Sequence, residues 1–344
     1  MLKRLLGIEG NVLLIGAGGG GDIAGAMHTG FLLEYDNIKY ILCALVWERL
    51  SIDPNPGPVP LNAFHNCRRI SSLLIEVNEN TYVKRGESLF TPQIVNVLRA
   101  LRELKVDTRG IVFDPYAPLG DVAKELERFC KENNIDTVII VDSGGDILTN
   151  GTEETVLSPL ADTFTLCLGR ELANAGLKVV VGVYGPGCDG EIPRDELIHR
   201  FSVLAASRHF LTFIGMTPDI ADKMEHVLRH VHTEASRLPL RAYRGEEGVV
   251  KIRRGERSVK LDILCAGTYY ITIEGACQIN TLTRYIDRSH TIVLARQALN
   301  SHGVVTELDI EEAIVKEGLL GKLDAETFIS LVERLRKKIR KIYS

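Results

Sequence analysis

Asn11-Val-Leu-Leu-Ile-Gly-Ala-Gly-Gly-Gly-Gly-Asp22 sets an apolar, strand-length run against a glycine turn, and a helical pattern follows it over 22–34. Strand, tight turn and helix N-terminus in that order make a site for anions, because unpaired backbone N–H groups point outward there. Gly16-x-Gly18-x-x-Gly21 also matches the dinucleotide fingerprint, with Glu48 at the end of the next strand as the ribose-binding acid. Two features strain that match. Glu48 lies 27 residues beyond Gly21, where about 20 is usual, and Asp22 stands where a pyrophosphate would approach. A small-molecule site that includes Gly16, Gly18, Gly19, Gly20, Gly21 and Asp22 is therefore the first reading, and an NAD(P) cofactor the alternative.

Outward from this turn, strand-length runs recur at 39–47, 73–77, 110–114, 136–142 and 177–184. Helical patterns separate them at 91–105, 119–133, 159–175 and 194–206. Val138-Ile-Ile-Val141 and Val179-Val-Val181 are apolar on both faces, as interior parallel strands are. The alternation predicts an α/β fold over 1–210: a doubly wound, mostly parallel sheet of Rossmann-like type. Asp53-Pro-Asn-Pro-Gly-Pro-Val-Pro60 forbids helix and interior strand alike, so 48–70 reads as an ordered excursion over the rim. Past 210 come a helix (218–232), a hairpin of 249–252 with 260–265 turning at Arg254-Gly255-Glu256, and a strand at 269–273. Helices at 281–300, 309–317 and 324–342 follow. Residues 211–344 thus read as a smaller C-terminal α+β portion packed on the core.

The composition, 45% apolar and 25% charged with a formal net charge of −4, gives no reason to expect nucleic acid or an anionic membrane as partner. The basic stretches at 251–257 and 334–341 read as solvated faces beside acidic segments. No apolar run approaches the roughly 20 residues needed to cross a bilayer, and Met1-Leu-Lys-Arg-Leu-Leu-Gly7 leads to Glu9 without a signal-peptide cleavage region. Scattered cysteines with no C-x-x-C pair fit reduced thiols in a cytoplasmic protein. A small-molecule ligand is the expected partner, and a homo-oligomer is compatible with this composition.

The acidic residues carry the chemistry. Asp142-Ser143-Gly144-Gly145-Asp146 follows an apolar strand directly, and its glycines permit a turn that brings both carboxylates to one point. Close carboxylates repel, so a divalent cation (Mg²⁺ first), a sugar diol or an amine is the natural compensation; an Asx turn is the structural alternative. Asp114 after a third strand, and Gly187 and Asp189 after a fourth, repeat the arrangement. Open α/β sheets bind ligands outside the carboxyl ends of their strands, so Asp22, Glu48, Asp114, Asp142, Asp146 and Asp189 would line one rim. Arg49 beside Glu48, and Arg237 in Thr233-Glu234-Ala-Ser236-Arg237, would balance that charge, with Glu234 and Ser236 reaching over the rim as part of a lid. Ser158 and Asp162 read as the cap and first turn of a helix. Cys188 has no neighbour in sequence to activate it. His226 and His230 stand four apart on a helix, where they would share a metal only with a further ligand.

Taken in order, Gly16–Asp22, Trp47-Glu48-Arg49 with Asp53-Pro54 and Gly57-Pro58, and Asp142–Asp146 resemble the prokaryotic family known as domain of unknown function 1152. Ser158-Pro-Leu-Ala-Asp162, Gly185–Glu191 and Thr233–Arg237 extend the resemblance over about residues 8–300. It implies a shared fold and a shared site, and brings no reaction with it. The expectation from the residues is a metal-assisted transferase or hydrolase acting on a nucleotide-like, phosphorylated or polyhydroxylated metabolite. Asp142, Asp146 and Asp22 would be catalytic, with Asp142 and Asp146 on the metal. An NAD(P)-dependent oxidoreductase and a non-enzymatic sensor or scaffold are the alternatives.

Overall fold

The runs that are apolar on both faces become the interior of one nine-stranded sheet in a computed structural model, which describes residues 1–255 and 257–343. In chain order the strands are β1 (Asn11–Gly16), β2 (Tyr40–Ala44), β3 (Phe64–His65), β4 (Arg68–Arg69), β5 (Leu74–Val77), β6 (Tyr82–Arg85) and β7 (Ser88–Phe90). β8 (Gly110–Phe113), β9 (Ile135–Ser143), β10 (Lys178–Tyr184), β11 (Phe210–Gly215), β12 (Gly248–Ile252), β13 (Arg257–Leu261) and β14 (Gly267–Thr272) follow. The helices are α1 (Leu2–Leu6), α2 (Asp22–Tyr35), α3 (Gln93–Glu103), α4 (Leu119–Glu132), α5 (Pro159–Asn174) and α6 (Arg194–Ala206). Then come α7 (Pro218–His230), α8 (Leu238–Tyr243), α9 (Ile273–Ile279), α10 (Ile292–Ser301), α11 (Glu307–Lys316) and α12 (Ala325–Tyr343).

The sheet order is β11-β14-β10-β9-β1-β2-β8-β5-β4. The middle five strands, β10-β9-β1-β2-β8, are parallel, while β14 and β5 run against their neighbours. From β1 the chain steps outward through β2 to β8, then returns past β1 to β9 and on to β10. The order therefore reverses between β1 and β9, which opens a crevice at their carboxyl ends. Residues of α1, α2, α3 and α7 form the core on one face. Those of α4, α5, α6, α9 and α10 form it on the other. α2 and α5 are buried along nearly their whole length, because each lies between the sheet and a second layer of helices.

Several expectations change. The C-terminal portion is woven into the sheet as well as packed on it: β14 is inserted between β10 and β11. β12 and β13 make the expected hairpin, with Glu256 of its turn outside the described residues. The second arm of that hairpin ends at Leu261, where Asp262 accepts the Leu264 N–H and starts a helical turn. The helix expected over 281–300 breaks, since carbonyls of Arg288 and His290 take the N–H groups of Gly120 and Leu119 at the start of α4, and α10 restarts with Thr291 as its cap. The proline-rich excursion is ordered by Arg85, whose guanidinium binds buried Asp53 at 2.9 Å and the carbonyls of Asn55, Pro56 and Gly57. Arg85 belongs to the small β3-β6-β7 sheet.

Candidate functional site

The crevice at the carboxyl ends of β1 and β9 receives the N-termini of α2 and α5, whose positive dipole ends favour carboxylates. Asp22, the first residue of α2, accepts the N–H of Gly18 at 2.5 Å and of Ser143 at 3.0 Å. That second bond ties the glycine turn to the end of β9. Gly25 in α2 leaves room for this approach, because a Cβ there would overlap Ser143 Oγ and crowd the Tyr184 ring at 2.9 Å. Beyond Ser143 the chain turns through Gly144 (φ 134°) and Gly145 (φ 116°), conformations that side chains disfavour. A Cβ on Gly144 would fall on the Asp189 carboxylate. The two loops are laced together, with the Gly144 N–H donating to the Tyr184 carbonyl at 3.0 Å and the Gly187 N–H to the Gly144 carbonyl at 2.6 Å.

Asp162, in the first turn of α5, faces the same point. Asp22, Asp142 and Asp162 each offer a carboxylate oxygen, and these three atoms lie within 4.8 Å of one another. Asp142 and Asp162 are almost wholly buried, and Asp142 Oδ2, Asp162 Oδ1, Asp189 Oδ2 and Ser143 Oγ have no hydrogen-bond partner among the described residues. Buried acceptors without partners are costly. Burial, followed by the charges of Asp22 and Asp189, pushes Asp142 well above the usual carboxylate range. Burial does the same to Asp146 and Asp162, reinforced by their acidic neighbours. Asp22 is raised to about 7 by burial against the pull of its two amides, and Asp189 to about 6 by burial and then Glu191. Glu191 is the exception. Burial alone would raise it, but Arg257 at 2.7 Å, the Leu157 N–H and the Ser158 hydroxyl hold it below its ordinary value.

These groups line a cavity of about 210 Å³. Of the residues expected at the rim, Gly18, Gly19, Gly20, Gly21, Asp22, Glu48, Arg49, Asp142, Ser143, Asp146, Asp189 and Ser236 line it. Glu48 also accepts the Gln93 N–H at 2.8 Å, and Ser236 Oγ donates to the Gly21 carbonyl at 2.9 Å. Gly16, Gly144, Gly145 and Gly187 shape the turns without lining the cavity. Asp114 stays apart, accepting the Tyr116 N–H in an Asx turn. Arg237 points away and donates to the Leu228 and Val231 carbonyls at the end of α7. Glu234 lies outside the lining, 3.6 Å from Arg49. Cys188 is fully buried, and burial drives its thiol well above the ordinary value.

Sequence reasoning missed Asp162, Glu191, Glu307, Glu311, Arg253 and Arg257. Glu307 accepts the N–H groups of Leu160 and Ala161 at the start of α5, at 3.0 and 2.7 Å. Glu311 accepts from Trp47 Nε1 and the Gly57 N–H, both at 2.9 Å. Arg253 lines the cavity, and Arg257 meets buried Glu191, although both belong to a stretch that reads as a solvated face. The available signal for Asp162 was a lone acid in the first turn of a helix that carries no other charge before Arg170.

Fold and cavity together define an α/β protein of Rossmann-like topology, with a carboxylate-lined cavity at the carboxyl edge of its sheet. Its family model matches residues 13–315, so the chain belongs to the family described as "Protein of unknown function (DUF1152)". α12 lies beyond the matched residues. Comparison with curated proteins and with solved structures gives no match. No described helix is long and apolar enough to cross a membrane.

Proposed function

We propose that this protein is an enzyme that holds a divalent cation between Asp22, Asp142 and Asp162 and uses it for group transfer or hydrolysis on a small phosphorylated or polyhydroxylated metabolite. The observation that carries this reading is the convergence of three carboxylates from three elements, with buried oxygens that lack hydrogen-bond partners. A hard cation with oxygen ligands relieves both the repulsion and the missing bonds, and Mg²⁺ suits such a set. Bound there, it would polarise a substrate oxygen or acidify a water molecule. Asp146 and Asp189 stand beside the three acids; burial raises both carboxyls, Asp189 to about 6, and Asp189 suits the role of general base. Arg49 and Arg253 supply positive charge to an anionic substrate at the mouth. The Gly18 amide is already bound to Asp22, which weighs against a dinucleotide pyrophosphate in the glycine turn.

The test is the melting temperature with and without Mg²⁺ or Mn²⁺. The wild-type protein should be stabilised by about 2.7 kcal/mol when the metal is at a hundred times its dissociation constant. The double variant Asp142→Asn/Asp162→Asn should not respond to Mg²⁺. Absence of any shift in the wild type removes the proposal. Calorimetric binding of NAD(H) or NADP(H) would favour the oxidoreductase instead.

A further inference from the structure

Where the end of α3 meets the last turns of α7, a second cluster carries different ligands. His226 and His230 lie one turn apart on α7, with ring centroids 5.2 Å apart, and Glu103 is the last residue of α3. Glu103 Oε2 is 3.0 Å from His226 Nε2 and 3.3 Å from His230 Nε2. All three ligand atoms fall within 4.8 Å of one another.

We propose that Glu103, His226 and His230 form a Zn²⁺-class transition-metal site that clamps α3 to α7, with water completing a tetrahedron. Metal–ligand bonds of about 2.0–2.1 Å imply ligand–ligand edges of about 3.3–3.4 Å in that geometry, close to the two measured separations. The alternative, a hydrogen bond from imidazole to carboxylate, fits less well. His226 Nε2 is enclosed and has no hydrogen-bond partner among the described residues, even with the carboxylate oxygen 3.0 Å away. Two imidazoles and one carboxylate match the borderline-soft Zn²⁺ rather than Mg²⁺. The clamp joins helices that both lead to the cavity. Gln93 at the start of α3 binds Glu48, and its side-chain oxygen accepts the His232 N–H at 3.2 Å just past α7. A metal at Glu103, His226 and His230 would therefore stiffen the lip formed by His232, Thr233 and Ser236. The site is independent of the chemistry assigned to the cavity.

Zn²⁺ titration of the full chain by calorimetry, with Co²⁺ absorption as a geometric probe, tests this. One Zn²⁺ equivalent should persist in Asp142→Asn/Asp162→Asn, which disables the cavity set. Its affinity should fall at least about tenfold in both His230→Gln and Glu103→Gln, as loss of a direct ligand requires. The Co²⁺ adduct should show a tetrahedral d–d band that His230→Gln removes. Unchanged Zn²⁺ affinity in both helix variants would overturn the proposal, as would the absence of any Zn²⁺ equivalent once the cavity acids are replaced. Glu103→Gln alters a half-exposed side chain, so it carries the test even where a histidine variant folds poorly.

Discussion

Replacing Glu48 with glutamine should stabilise the protein, and only above acidic pH. Burial, supplemented by the charge of Asp53, raises the Glu48 carboxyl from 4.5 to about 7 against the opposing pull of the Gln93 amide. The folded state then binds a proton more tightly than the unfolded chain. Between pH 4.5 and about 7 stability falls as pH rises, and the loss is complete above the folded pKa. At 1.36 kcal/mol per unit, this amounts to at most about 3 kcal/mol. Glutamine keeps the oxygen that accepts the Gln93 N–H and removes the charge. At about pH 8, Glu48→Gln should be more stable than wild type by up to about 3 kcal/mol, and near pH 4.5 the two should coincide. Urea denaturation across that range, followed by circular dichroism and by the emission of Trp47 next to the site, provides the measurement. An equal offset at every pH, or destabilisation at pH 8, would refute the reasoning that these acids are held at the expense of stability.

His28 makes the opposite prediction. Fully buried between Tyr184 and Thr268, its ring is lowered by burial from 6.5 to about 4. The unfolded chain binds the extra proton, so stability is present above pH 6.5 and is lost toward pH 4, by about 3 kcal/mol in all. His28→Gln should flatten the melting temperature over that window; an unaltered acid limb would exclude His28 as its cause. Arg257→Met leaves the buried Glu191 carboxylate without its partner at 2.7 Å, which should cost about 3–5 kcal/mol in thermal or chemical unfolding. A loss below about 1 kcal/mol would mean that the pair is solvated in the manner of a surface bridge.

Much of the fold was legible locally. β1, β9 and β10 announce themselves because strands covered on both faces must be apolar at consecutive positions, and α4 and α7 because half-covered helices repeat at helical spacing. β3 and β7 were not legible, being two and three residues long, and neither was β6, whose Tyr82-Val-Lys-Arg85 lacks the apolar run that marks the equally short β5 and β8. Nor was the break before α10, which is set by hydrogen bonds to α4 from residues 170 positions or so further along the chain.

The candidate site divides along the same line. By itself the sequence determined that acids follow several strand ends and that glycines bend the chain beside them, since turns and strand ends are governed by neighbouring residues. Which acids meet was decided only by the tertiary structure. Asp114 and Asp142 carry the same local signature, yet β8 lies two strands away from the crevice where β1 and β9 diverge. Asp162 and Glu307, unremarkable in their own helices, reach that crevice because α5 and α11 begin there. A carboxylate's position in the chain is a local property; the charges, amides and empty space that it faces belong to the packed whole.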